Sequence, residues 1–274
     1  MTDLAAYLDR INYTGPTDAT VDTLRGLVAA HNGAIPFENL DPLMGIPVAD
    51  LGRDALFDKL VQRRRGGYCY EQNGVMGYAL AELGFGVQRL GGRVVWMHDS
   101  DELPAQTHEA LSVTVPGEDG PWLVDVGFGG QTLSSPIRLE VGTVQPTRHE
   151  PYRIRADGAG LLLEAQIRGD WHPLYMFTTR PRPRIDREVG SWYVSTHPRS
   201  TFVVGLSVAL LTDDARWNLR GRNLAIHSNG NTERIRFATA ADVLNALTDR
   251  FGIDLNDLGD RVDVEARVNA VLDS

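Results

Sequence analysis

The stretch "RRRGGYCYEQN", from Arg63 to Asn73, constrains this chain more than any other. Two adjacent glycines stop one helical pattern, and another starts directly behind them. Before the pair, "LGRDALFDKLVQRRRGG" carries Leu51, Ala55, Leu56 and Leu60 on one stripe. Behind it, a helix is expected from about Tyr68 to Leu83, with Gly84 just past its end. The only cysteine of the 274 residues, Cys69, therefore falls in the first turn of a helix. There the unpaired amide N–H groups and the positive end of the helix dipole favour an anion. Arg65 pushes the same way. This is a recognisable setting for a thiolate nucleophile. The competing reading is a small buried hydrophobe, which free cysteine often is. A lone cysteine also excludes an internal disulfide framework and any structural zinc site built on several thiolates. It fits a reducing cytoplasm, where we expect the protein to reside.

Helical patterning dominates the first third. "TVDTLRGLVAAHNG" places Val21, Leu24, Leu27 and Val28 at helical spacing, with Thr20 as N-cap and Gly33 as a stop. From Gly91 the character changes. "GRVVWM", "EALSVTV", "PWLVDVGF", "YRIRA", "GLLLEAQI" and "DWHPLYMF" are short, β-branched or aromatic, and bounded by Gly, Pro or Asp. Such a run predicts an antiparallel barrel or sandwich rather than βαβ units. "PRPR", from Pro181 to Arg184, reads as a connector. Beyond Ser200 come strands at "STFVVGLSVALLT", "NLAIHS" and "RIRFA", then a helix at "ATAADVLNALTDRFGI" and another at "DVEARVNAVLDS". The parts expected are residues 1–90, 91–200 and 201–274.

A formal charge of −9 argues against a general nucleic-acid binder. Arg63, Arg64 and Arg65 run against that sign, as a solvated face or as an anion-facing edge beside the cysteine. The opening "MTDLAAYLDRINYTG" shows no basic segment followed by an apolar one, so no secretory signal is expected. The apolar run near "FVVGLSVALL" is too short to span a bilayer. No membrane partner and no metal are expected.

A thiolate that carries an acyl group needs a histidine to move protons and a carboxylate to orient it. His108 stands out in "QTHEALSVTV", at the mouth of a strand. Asp125 stands out in "WLVDVGFGG", because an acid inside an apolar strand is costly without a partner. "HEALS" lacks the second histidine of a zinc protease helix. If "PGEDGP" is a hairpin turn, Val115 faces Trp122 and Ser112 faces Asp125. His108 and Asp125 then share a face but lie four residues apart, roughly 13 Å, beyond hydrogen-bond reach.

"IPFENLD", "RGGYCYEQN", "THEALSV" and "VDVGFG", in that order, resemble the arylamine N-acetyltransferases of the bacterial type. The resemblance is spread over about the first half of the chain. It implies an α+β fold with an N-terminal helical bundle, a central antiparallel β-barrel and a C-terminal α/β lid around a Cys-His-Asp core of the cysteine-protease kind. It implies Cys69, His108 and Asp125 as the catalytic residues. The implied reaction is ping-pong acetyl transfer from acetyl-CoA, a co-substrate, to an arylamine, hydrazine or arylhydroxylamine. Phe37, Val95, Phe128 and Phe202 resemble the apolar lining of the acceptor pocket; ordinary core is the other reading for Val95 and Phe202. Gly127, Gly129 and Gly130 resemble the loop that approaches the CoA pyrophosphate. Glu38, Asn39 and Arg65 resemble a polar network bracing the cysteine loop, and "HSNGN" near His227 the edge of the cofactor cleft. Expected partners are CoA and a small-molecule acceptor, with a homodimer admitted. The rivals are a Cys-His-Asp hydrolase or transglutaminase-like amidase, and a binding protein whose cysteine is structural.

Overall fold

The computed structural model describes residues 3–98 and 102–272. Its helical part begins with α1 (Asp3–Arg10) and α2 (Val21–Ala34). Thr20 caps α2 through its side chain, which accepts from the Thr23 N–H at 3.2 Å. Gly33 does not stop this helix; it lies in the last turn, and the chain leaves through extended Ile35. A two-residue strand, β1 (Phe37–Glu38), and a single turn, α3 (Leu40–Leu43), follow. Then α4 (Arg53–Phe57) widens into a π-helical turn at Asp58–Gln62.

The Gly66–Gly67 pair is needed for space rather than for conformation. A Cβ on Gly66 would stand 2.1 Å from the Pro36 carbonyl oxygen. Gly67 lies beside Phe37, and its carbonyl accepts from the Glu38 N–H at 3.1 Å. The helix behind the pair, α5 (Cys69–Glu82), is capped at Tyr68, whose N–H donates to Glu71 Oε2 at 3.1 Å. Every residue from Cys69 to Gly77 is buried. This helix is central, which is why its sequence carries no polar face.

The barrel is built from β2 (Gly86–Val94), β3 (His108–Thr114), β4 (Trp122–Val124), β5 (Ile137–Arg138), β6 (Val144–Gln145), β7 (Tyr152–Asp157), β8 (Gly160–Ile167) and β9 (Asp170–Pro181). These eight antiparallel strands run in the order β5-β4-β3-β2-β9-β8-β7-β6. The two ends nearly close: the Gln145 side chain accepts from the Arg138 N–H at 2.6 Å and donates to the Arg138 carbonyl at 2.8 Å. Leu90, Ala110, Leu123, Tyr152, Leu163 and Tyr175 share one core cluster. Leu111, Val113 and Val124 belong instead to the core of the helices around α5. Strand β3 is thus packed on both sides, and His108–Val113 are all buried, the polar His108, Glu109 and Ser112 included.

A helix absent from the sequence reading, α6 (Arg184–Thr196), follows β9. It buries Arg187, Gly190, Ser191, Val194 and Ser195, while Ile185, Val189, Trp192 and Tyr193 face outward. These outward residues recur at i, i+4, i+7 and i+8, a helical period whose apolar stripe faces away from the core. "STFVVGLSVALLT" is likewise not one strand. Ser200 caps a helical turn, α7 (Thr201–Val204), and only then does β10 (Ser207–Leu211) begin. With β11 (Arg216–Arg220), β12 (Asn223–Ser228) and β13 (Asn231–Arg236) it forms a five-stranded antiparallel sheet whose other edge is β1. Phe37 pairs with Ala209 there, so the segment before the cysteine belongs to the C-terminal sheet. Two helices, α8 (Ala240–Asp249) and α9 (Arg261–Leu272), share a core with this sheet and with Leu40 and Leu43. Asp273 and Ser274, the end of the last expected helix, lie outside the described residues. Among the described residues no helix is long and apolar enough to cross a membrane.

Candidate active site

Cys69 is the first residue of α5 and is buried, with Sγ 3.6 Å from the Thr107 carbonyl oxygen. The next residue, His108, opens β3, and its Nε2 lies 2.7 Å from Asp125 Oδ2. This leaves Nδ1 as the ring nitrogen available to the sulfur. Burial works to lower the basicity of His108. The charge and hydrogen bond of Asp125, together with Cys69, outweigh it and raise the imidazole to about 10. At neutral pH the ring therefore keeps its proton.

The expected hairpin register is wrong by two residues, and the error accounts for the missing contact. Val113, not Val115, faces Trp122, and Leu111 faces Val124. Continued past β4, this register brings Asp125 opposite Ala110, two residues from His108 instead of four. A shift of two keeps both side chains on one face and brings them within reach as diagonal neighbours.

Asn73 was not anticipated, although it lies inside the stretch that opens α5. It sits one turn after Cys69 on the same helical face. Its Nδ2 donates to Asp125 Oδ1 at 3.0 Å and to the Glu109 carbonyl at 2.6 Å. Its Oδ1 accepts from the Val126 N–H at 3.1 Å. The Gly127 N–H completes the shell of Asp125 at 3.0 Å from Oδ1. The i, i+4 spacing from the cysteine was the available signal.

Of the three arginines, Arg63 and Arg64 are exposed, but Arg65 is only 1% exposed and is neither a solvated face nor an anion-facing edge. Its guanidinium reaches Glu38 at 2.9 Å, Asp41 at 2.7 Å and Asp257 at 3.1 Å. Lys59 binds Asp41 and Glu71 alongside, at 2.7 and 2.6 Å. Arg65 thus braces the loop in front of Cys69, and its charge is taken up by carboxylates rather than directed at the sulfur. Asn39 stands outside this pairing; its side chain ties the carbonyls of Phe202 and Gly205 and the Ser207 N–H.

The three glycines after Asp125 have different surroundings. A Cβ on Gly127 would stand 2.6 Å from Cys69 Cα, so this glycine lets the loop lie against the start of α5. Gly129 has φ +77° and packs by Phe37. Gly130 lines a cleft of about 1330 Å³. Phe128 lines the same cleft and sets its ring edge-on to His108, with centroids 5.2 Å apart. Phe37 and Phe202 meet at 5.8 Å, and Phe202 meets Tyr68 at 5.4 Å. Val95 is half-buried just beyond β2, its N–H donating to the Leu174 carbonyl, and it makes none of these ring contacts. The segment His227–Asn231 lines the cleft, as do Arg148, Arg168, Arg220 and Arg234. Burial, then the charges of Arg168, Arg234 and Arg216, hold His227 below its ordinary basicity. Arginines outnumber carboxylates in this lining, six against Glu150, Asp170, Asp213 and Asp214, in an otherwise acidic chain.

A family model described as N-acetyltransferase matches residues 20–259. An arylamine N-acetyltransferase of Mycolicibacterium smegmatis is 67% identical over 273 residues, covering 99% of each chain. One from Escherichia coli is 37% identical over 272 residues, covering 98% of this chain and 95% of its own length. The solved structure of Mycobacterium marinum arylamine N-acetyltransferase in complex with CoA superposes with a TM-score of 0.95 at 61% identity. It covers 98% of this chain and 99% of that one.

Proposed function

The chain belongs to the arylamine N-acetyltransferase family, and on that premise we propose that it carries acetyl from acetyl-CoA to an arylamine, hydrazine or arylhydroxylamine through a thioester on Cys69. The supporting observation is the arrangement of Cys69 at the start of α5, its Sγ 3.6 Å from the Thr107 carbonyl, with His108 next in the chain and held at 2.7 Å by Asp125, whose charge and hydrogen bond raise the imidazole. In the reactive form the sulfur is the thiolate nucleophile and His108 the proton donor. In the first half-reaction the sulfur attacks the acetyl carbonyl, and the bond to the CoA sulfur breaks. The His108 proton leaves with CoA, so the ring ends neutral. In the second, the acceptor nitrogen attacks the Cys69 thioester and gives its proton to His108. Cys69 departs as thiolate, which restores the starting pair.

The cleft fits a large anionic co-substrate. At about 1330 Å³ it exceeds the ~300–1,000 Å³ typical of drug-sized ligands. Its arginines suit a diphosphate and a phosphate monoester. Phe37, Phe128 and Phe202 offer flat apolar walls to an aromatic acceptor, and Val95 is retained in that wall. The reading includes a cytoplasmic location, where a lone thiol stays reduced, and no nucleic-acid or membrane partner.

Incubation with acetyl-CoA alone, followed by mass spectrometry of the intact protein, tests the proposal. One acetyl adduct on Cys69, discharged by an arylamine, is expected, with none on Cys69→Ala. Double-reciprocal plots at several acceptor concentrations should be parallel. Intersecting lines without a trapped adduct would replace the thioester by direct transfer. Discharge by water as fast as by the amine would favour the hydrolase.

A further inference from the structure

Arg216 lies on β11, outside every motif quoted from the sequence, yet its side chain reaches the loop that carries Asp125. Its Nη2 donates to the Thr132 carbonyl at 3.0 Å, and its Nη1 approaches the Gly130 carbonyl at 3.4 Å. Glu150 holds the guanidinium from the other side, at 3.1 Å to Nε and 2.6 Å to Nη2. The Tyr152 hydroxyl accepts from Nη2 at 3.0 Å and stands 3.2 Å from the Gln131 carbonyl. The carbonyls of Gly130 and Thr132 are thus held by one guanidinium, while the Tyr152 hydroxyl, 2.6 Å from its nearest acceptor Glu150 Oε1, stands beside the Gln131 carbonyl between them.

The far side of the same loop faces the reacting groups. Thr132 Oγ1 donates to the Asp125 carbonyl at 2.7 Å and accepts from the Phe128 N–H at 3.3 Å. Asp125 holds His108, and Phe128 packs on the His108 ring. An unbroken series of contacts therefore joins Arg216 to the imidazole: guanidinium, Thr132 carbonyl, Thr132 hydroxyl, Asp125 backbone, Asp125 carboxylate. We propose that Arg216 is a positioning residue for acetylation of Cys69, acting from the C-terminal sheet by fixing the 126–132 loop and through it Asp125 and His108. The inference rests on the acetyl-transfer reading and adds a residue to it.

Arg216 also lines the cleft, so a direct role in holding CoA is the rival. The two roles separate by choice of donor. p-Nitrophenyl acetate acetylates a thiolate without entering a CoA site, whereas acetyl-CoA must use the cleft. Arg216→Lys keeps the positive charge but loses the planar fork that spans two carbonyls and a carboxylate. Arg216→Met combined with Glu150→Gln removes the ion pair without stranding a buried carboxylate. Both variants should acetylate Cys69 more slowly by the same factor with either donor, about tenfold or more. The Arg216→Lys variant should keep a KM for acetyl-CoA within about twofold of the wild type. Slowing confined to acetyl-CoA would overturn the inference in favour of a CoA contact. Unchanged rates with both donors in the folded variants would overturn it in favour of a purely structural role. A wild-type protein that takes acetyl from neither donor would overturn the acetyl-transfer reading itself, and the inference with it.

Discussion

Asp125→Asn tests the site at the level of single hydrogen atoms. Asp125 Oδ1 accepts from Asn73 Nδ2 and from the Gly127 N–H, both at 3.0 Å, while Oδ2 faces His108 Nε2 at 2.7 Å. An asparagine amide has one oxygen and one NH₂. Its oxygen must take the Oδ1 position, because an NH₂ there would oppose two donors. The NH₂ then points at His108 Nε2, which has to become an acceptor. The ring proton moves to Nδ1 and faces Cys69, so the neutral imidazole cannot take the thiol proton. The electrostatic loss acts in the same direction. His108 stands at about 10 against an ordinary 6.5, with Asp125 the largest influence raising it against burial. That rise corresponds to about 5 kcal/mol in favour of the imidazolium. Without Asp125 most of this is lost, and burial acts almost unopposed. Acetylation of Cys69 should fall by about 10³ to 10⁴. The assay is rapid quenching of a single turnover with acetyl-CoA, read by intact mass, with near-ultraviolet circular dichroism to confirm the fold. A folded Asp125→Asn protein acetylated within about tenfold of the wild-type rate would refute the reasoning.

The pH dependence of acetylation should show its alkaline fall near 10, where His108 loses its proton, rather than near 6.5; a single-turnover profile from pH 6 to 10.5 reads this directly. The same raised basicity stabilises the fold fully below about 6.5, and that contribution is lost as pH rises through about 10. His31 works in the opposite sense. Burial, assisted by Arg10, holds it near 4 between Tyr7 and Gln72, so the unfolded chain binds the extra proton between about 6.5 and 4. His31 alone should contribute a loss of about 2 kcal/mol from pH 7.5 to 5, read as the difference between wild type and His31→Gln in urea unfolding at the two pH values, because His108 and Glu71, both raised, act in the opposite sense over this range. Gly127→Ala places a methyl 2.6 Å from Cys69 Cα, so it should cost about 1–3 kcal/mol in thermal unfolding and slow acetylation, although Gly127 has no positive φ.

The helix ends and the strand-rich middle were legible because they depend on local chemistry. Thr20 caps α2 by its own hydroxyl, and Gly84 takes φ +91° just past α5. What escaped was set by partners distant in sequence. In α6 the buried face is small and polar because Ser191 and Ser195 bond the backbone of Val48, the former donating to its carbonyl and the latter accepting from its N–H. The apolar stripe Ile185, Val189, Trp192 and Tyr193 has helical spacing, but it faces outward and points to the wrong buried face. "PWLVDVGF" reads as a full strand, but only Trp122–Val124 is one. Asp125 and the residues after it leave the sheet to bond Asn73, Thr132 and each other.

The site divides along the same line. Cys69 is legible because the Gly66–Gly67 pair and the helix start are neighbours in sequence. The pairing of His108 with Asp125 is not, because it depends on a register set by a loop two residues longer at one end than turn chemistry suggests. Asn73 bridges the two cases. It occupies a position fixed relative to Cys69 by one turn of helix, and it reaches Asp125 across 52 residues of sequence. The helix that presents the sulfur therefore also presents the amide that aims the carboxylate. The distance between nucleophile and orienting acid is set by helical pitch, the most rigid spacing available to the chain. Only His108, arriving on β3, must be brought to both. Its place is fixed from two sides, by the strand register against β4 and by the Asn73 bond to the Glu109 carbonyl one residue along. Asn73→Ala should therefore disturb both the acid and the strand that carries the base. It should depress acetylation more than loss of a single hydrogen bond to Asp125 would.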